Sequence, residues 1–153
     1  MVRKVKGFTL IEIVLVLAIL AIIFAIAIPT FSTWRAKYYL EKDVRNLASF
    51  INMARNKAFT EKINLVLTIN GNEACLSCKS TDAYCNSLYT GNIQCITFNY
   101  DMGSYTISIS SRGTLTNTTI FPLNTITGAF GCIKLSTFRA KIGVINGTVC
   151  ETR

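Results

Sequence analysis

From Phe8 to Ile28 the chain runs through 21 residues that carry a single charge, Glu12. At about 1.5 Å of helical rise per residue, such a run reaches the roughly 30 Å apolar core of a bilayer, so a membrane-spanning helix is expected here. Arg3, Lys4 and Lys6 precede it with no acid among them. Basic residues at a short end hold that end in the cytoplasm, which puts everything beyond about Thr30 on the outer side.

Three roles compete for this run. A cleaved secretory signal would find a small-residue site at Ala25 to Ala27, but the apolar stretch is longer than the about 7–15 residues of a signal core and contains an acid. A plain anchor explains the length and the basic flank. It leaves Glu12 without a partner, at a cost of about 2.5–3.5 kcal/mol for an acid at a helix centre and less near an end. Snorkelling of Glu12 to the headgroups is the bland account of how that cost is met.

The third role comes from a resemblance. The string KGFTLIE, Lys6 to Glu12, followed by the full apolar helix, resembles the processing site of type IV pilins and pseudopilins. That resemblance implies a prepilin peptidase that cuts between Gly7 and Phe8 and methylates the new N-terminus on Phe8. Glu12 then occupies the fifth mature position and Pro29 the twenty-second, as in the family. It also implies that Glu12 of an incoming subunit meets the Phe8 amine of its neighbour in the filament. Electrostatics favours that pairing. An amine at a helix N-terminus adds to a positive dipole end, and low dielectric strengthens a pair of unit charges about 4 Å apart far beyond its value in water. Glu12 is thus expected to set the assembly register. Pro29 removes a helical hydrogen bond and crowds the preceding turn, so a bend or a local melt is expected there.

Past Pro29 the texture changes. Leu40, Val44, Leu47, Ile51, Ala54 and Ala58 recur at spacings of 4, 3, 4, 3 and 4, one stripe of an amphipathic helix. Lys42, Asp43, Arg45, Asn52, Arg55, Asn56 and Lys57 are expected on its solvated faces. After Lys62 the period becomes two, with Ile63, Leu65, Leu67 and Ile69 on one face of a strand and Asn70-Gly71 as a turn. Further strands are expected at 93–100, 104–110, 118–121, 132–136 and 141–149, the last split at Asn146-Gly147. The organisation is a leader at 1–7, a membrane and assembly half of the helix at 8–29, an amphipathic half at 30–62, and an antiparallel β domain at 63–153 with a Cys-rich loop at 73–95. The fold class is α+β, a long N-terminal helix packed on one or two antiparallel sheets.

Six cysteines, Cys75, Cys78, Cys85, Cys95, Cys132 and Cys150, all lie beyond the span. In an exported domain an even count reads as disulfides whose pairing spacing alone does not reveal. Cys75-x-x-Cys78 is half of a zinc pattern, but Cys85 and Cys95 lie ten apart and the chain has no histidine. Two disulfides stapling the 73–95 loop are preferred, and no metal or cofactor is expected. For Cys132 and Cys150, a flat meander turning at Thr137-Phe138 and Asn146-Gly147 sets both opposite Gly143 from two sides. That leaves them about 10 Å apart, beyond bridging reach, so either this register is wrong or they pair elsewhere.

The segment from Leu40 to Asn70 is similar to the GspH/FimT group of minor pilins and pseudopilins, with looser likeness at Ser110 to Leu115 and Phe138 to Cys150. The resemblance implies a structural, non-enzymatic subunit that primes or caps a filament of a type II secretion pseudopilus or a type IV pilus. Its partners would be other pilins or pseudopilins, the prepilin peptidase, the inner-membrane assembly platform and membrane lipid, and its place the bacterial inner membrane before assembly. Composition agrees: without histidine no Ser-His-Asp or Cys-His pair exists, and no Gly-rich phosphate loop follows a strand. Two alternatives stay open, a major pilin subunit and a DNA-binding minor pilin. The net charge is +8, and without Arg3, Lys4 and Lys6 thirteen basic and eight acidic residues leave +5. Some members of the group bind DNA through a basic motif near the C-terminus. Arg139 and Lys141 stand at the matching place, two residues apart and on one face of a strand, without the motif's glycine.

Overall fold

The computed structural model describes residues 8–126 and 128–152, apart from the side chains of Ala27, Pro29 and Thr30. Gly7 and the rest of the 1–7 leader lie outside the described residues. Of these residues, those up to Ala36 form one compact unit and those from Lys37 onward a second.

Helix α1 covers Leu10–Glu61. In the first unit every described side chain from Leu10 to Ile28 is exposed. A helix that is apolar all round and uncovered by its own chain needs lipid or other subunits around it. Among the described residues no single helix is long and apolar enough to cross a membrane, but the bent pair Leu10–Ile26 and Phe31–Glu61 passes by length and composition. The backbone at Pro29, between those two segments, is helical.

In the second unit Leu40, Val44, Leu47, Ile51, Ala54 and Ala58 are all buried, joined by Ala48 and Phe50. One residue expected on the solvated side is in the core: Asp43 is 1% exposed. It lies three residues after Leu40 and four before Leu47, so helical spacing carries it onto the buried stripe. Its Oδ2 accepts from the backbone N–H groups of Asn99 and Tyr100, at 2.7 and 3.0 Å, and its Oδ1 from Asn99 Nδ2 at 3.0 Å. A buried carboxylate is tolerable when its oxygens are occupied in this way. Asp43→Ala leaves those two backbone donors without their acceptor and is expected to cost about 2 kcal/mol. The check is a lowered urea midpoint with faster amide exchange at Asn99 and Tyr100; an unchanged midpoint would show the bonds to be incidental.

The helix stops at Lys62, whose φ of 57° is left-handed, and Ile63 N–H closes on the Ala58 carbonyl at 3.2 Å. That is a Schellman ending, with buried Ile63 as its apolar contact. It turns the chain straight into the first sheet.

The strands are β1 (Leu65–Asn70), β2 (Glu73–Cys78), β3 (Asn92–Thr97), β4 (Ser104–Ile109), β5 (Thr118–Ile120), β6 (Cys132–Ser136), β7 (Arg139–Asn146) and β8 (Val149–Glu151). They form two four-stranded antiparallel sheets, ordered β3-β2-β1-β4 and β5-β6-β7-β8. The result is the α+β arrangement of a long N-terminal helix followed by antiparallel sheets. Leu65, Leu67, Ile69, Ala74, Leu76, Ile107 and Ile109 supply the buried face of the first sheet, in one core with the helix stripe.

The Cys-rich segment 73–95 is not a loop. It is strand β2, a short helix α2 (Ala83–Leu88) and the start of β3. Cys75 faces Cys95 across the β2–β3 ladder and is bonded to it, and Cys78 is bonded to Cys85. Strand β3 overlaps the strand expected at 93–100; β2 was missed because Cys75, Ser77 and Cys78 alternate with only two buried apolar residues, Ala74 and Leu76. Asp82 caps α2 by accepting from Cys85 N–H at 2.9 Å, and also takes the backbone and side-chain N–H groups of Asn64. The Cys85 amide, then those of Asn64, hold the Asp82 carboxyl below the usual carboxylate range.

The expectation that Cys132 and Cys150 lie beyond bridging reach is also corrected, since they form a disulfide with Cα atoms 5.9 Å apart. Cys132 does face Gly143, but the β7–β8 turn is Gly147-Thr148, one residue later than expected, so Cys150 faces Ile145 instead. A Cβ on Gly143 would lie 2.7 Å from Cys150 Sγ, 2.8 Å from the Glu151 carbonyl and 3.1 Å from Cys132 Sγ. The β7–β8 pair therefore coils over the bare face of Gly143, and the disulfide crosses where a side chain would stand. The 10 Å estimate assumed a flat sheet, whereas real ladders twist.

Candidate functional site

Two surfaces collect the sequence-derived residues. The first is the start of α1. Phe8 is 83% exposed. Thr9 and Glu12 bond reciprocally: Thr9 N–H and Oγ1 both donate to Glu12 Oε2 at 3.2 Å, and Glu12 N–H donates to Thr9 Oγ1 at 3.3 Å. This is a capping box, in which the hydroxyl and the carboxylate three residues on satisfy helix-end donors that have no other partner. Glu12 thus has a local anchor at the positive end of the helix dipole. A carboxylate has two oxygens and room for further donors, so the box leaves capacity for an ammonium group. Thr9 was not singled out from sequence, although the Thr-x-x-Glu spacing is the signal for it.

The second surface is the β6–β7 hairpin. Arg139 and Lys141 alternate along β7 onto one exposed face. Register adds a third cation, Lys134, directly opposite Lys141, and places Ser136 opposite Arg139. Phe138, at the turn, is 70% exposed. Together with Thr152 these residues line an open groove. Among the described residues no carboxylate forms an ion pair with Lys134, Arg139 or Lys141. Like charges directly opposite across strands are destabilising, and an anion in the groove would relieve that cost. Lys134 was legible from the expected turn at Thr137-Phe138, which already fixes its partner.

The remaining candidates are dispersed. The six cysteines form three disulfides. Glu73 lies beside Cys75 and Cys95, but those sulfurs are bonded to each other and offer no thiolate. Gly7 lies outside the described residues.

Residues 2–28 match the family model described as the prokaryotic N-terminal methylation motif. No curated protein and no solved structure matches the chain.

Proposed function

We infer, from the premise that this chain is a type IV pilin-like protein and a pilin-type substrate of prepilin peptidase, that it serves as a minor (pseudo)pilin of the GspH/FimT type. Its role is structural, not enzymatic, and it assembles with other pilins. In the proposed sequence, the precursor sits in the inner membrane with its N-terminus in the cytoplasm. The peptidase cuts between Gly7 and Phe8 and methylates Phe8. The assembly platform then draws the subunit into a filament as the Phe8 amine of one protomer meets Glu12 of the next. Pro29 supplies the bend between the two halves of α1.

The observation that carries this proposal is the Thr9–Glu12 capping box at the head of an uncovered apolar helix. It holds the acid one turn from Phe8 and satisfies part of its hydrogen-bonding capacity while the helix is still in lipid, lowering the cost of burial there. Mass spectrometry of the mature chain is expected to find a start at Phe8 carrying one methyl. An intact Met1 or a start near Thr30 would overturn the proposal.

A second function, DNA binding, is favoured by the alignment of Lys134 with Arg139 and Lys141. Three cations on one face can neutralise about three phosphates, and each lost contact reduces the salt slope by about 0.9 on duplex DNA. Replacing all three by alanine is expected to lower DNA retention and flatten its salt dependence. Retention equal to wild type would retire this role.

A further inference from the structure

Beyond the apolar run, the first unit carries a patch that filament assembly through Glu12 does not use. Phe31 and Trp34 are each 60% exposed, and their ring centroids lie 5.9 Å apart. Arg35 is exposed, four residues after Phe31 and next to Trp34. Helical spacing of three and four sets all three side chains together on one face. Two large aromatic side chains side by side on an exposed helix face mark an interaction surface, and the guanidinium beside them gives it a positive charge.

Position along the helix identifies the occupant. The 23 residues from Phe8 to Thr30 provide about 35 Å of helix at about 1.5 Å each. That slightly exceeds the roughly 30 Å apolar core and falls short of the about 40–45 Å full bilayer. Phe31 therefore lies just inside the outer headgroup layer, and Trp34 and Arg35 follow within one turn. Indole suits that layer because its ring prefers the acyl boundary while its N–H finds a polar acceptor. Arg35 supplies a fork of donors for a phosphate.

We propose that Phe31, Trp34 and Arg35 form an interfacial anchor that docks on the phospholipid headgroups of the outer leaflet and fixes the depth of the helix in the membrane. This rests on the membrane-anchored placement of the precursor. The anchor must be withdrawn when a subunit leaves the bilayer, so it also opposes extraction.

Trp34 is the single tryptophan of the chain, so fluorescence reports on it alone. The full chain is reconstituted in phosphatidylcholine vesicles, with or without phosphatidylglycerol, and checked by flotation. Quenching is then measured with lipids brominated near the headgroup or near the acyl terminus, and with aqueous iodide. The expected result is flotation, with strongest quenching by the shallow bromines and partial protection from iodide. Phe31→Ser with Arg35→Ser is expected to shift Trp34 toward iodide and away from the shallow bromines. A chain that floats while Trp34 is fully open to iodide and untouched by bromolipid would overturn the anchor alone, as would strongest quenching at the acyl terminus. A chain that does not float would overturn the membrane placement and the anchor with it.

Discussion

Replacing Glu12 by alanine is expected to abolish incorporation into filaments while leaving the subunit in the membrane. Removing an acid from an apolar helix lowers its insertion cost, so failed insertion does not explain the loss. What disappears is the proposed partner of the Phe8 ammonium. Truncating one member of a desolvated, hydrogen-bonded charge pair costs about 2 kcal/mol or more, roughly 30-fold in association at each contact. Glu12→Gln separates charge from cap, because an amide oxygen still accepts from Thr9 but carries no charge. Its incorporation is expected to fall nearly as far. Thr9→Val does the converse, keeping the charge and removing the hydroxyl that holds it, and a smaller loss is expected. The measurement is the ratio of sheared-filament to membrane-bound subunit. Polymerisation of the Gln variant at the wild-type level would end the electrostatic account of assembly.

The largest effect within the β domain is expected from Gly143→Ala. The added methyl would sit 2.7 Å from Cys150 Sγ and 2.8 Å from the Glu151 carbonyl oxygen. The sulfur has some freedom to move, but the carbonyl belongs to the backbone of β8 and has little. Strand β8 must therefore lift away, carrying Cys150 out of reach of Cys132. The bond spans a sequence separation of 18, and closing a loop of about that size is worth about 3 kcal/mol in the chain-entropy account. Thiol labelling of the purified protein should find both Cys132 and Cys150 free, and the urea midpoint should fall to near that of a Cys132→Ser, Cys150→Ser variant. A Gly143→Ala protein with its disulfide closed and its midpoint unchanged would show that β8 does not coil over that face. No comparable effect is expected from an added methyl at Gly147, where nothing lies within 4 Å and only its φ of 61° resists substitution.

Local pattern is legible wherever one residue's environment depends on near neighbours. The stripe from Leu40 to Ala58 is buried because helical spacing puts those side chains on one face. The same holds for the alternation from Leu65 to Ile69, whereas the turn lies at Gly71-Asn72, one residue later than expected, because Asn70 stays in the strand and pairs with Glu73. Arg139 and Lys141 share a face for the same reason. Asp43 was misplaced although its spacing was available, because a charged residue was assigned to solvent by type rather than by position. Its acceptors are engaged by Asn99 and Tyr100, more than fifty residues away, and no local signal announces such donors.

The chain's own residues determined its class and its addresses: a charge-poor helix headed by Phe8, Thr9 and Glu12, an amphipathic continuation, and a β domain of paired cysteines. Those properties follow from periodicity, hydropathy and short motifs, which act over a few residues at a time. Tertiary structure alone decided which cysteines are joined, that β8 coils over Gly143, and that a lone acid serves as the acceptor for a distant turn. Each of these depends on sheet twist and strand register, where a shift of one residue in a turn changes every partner downstream.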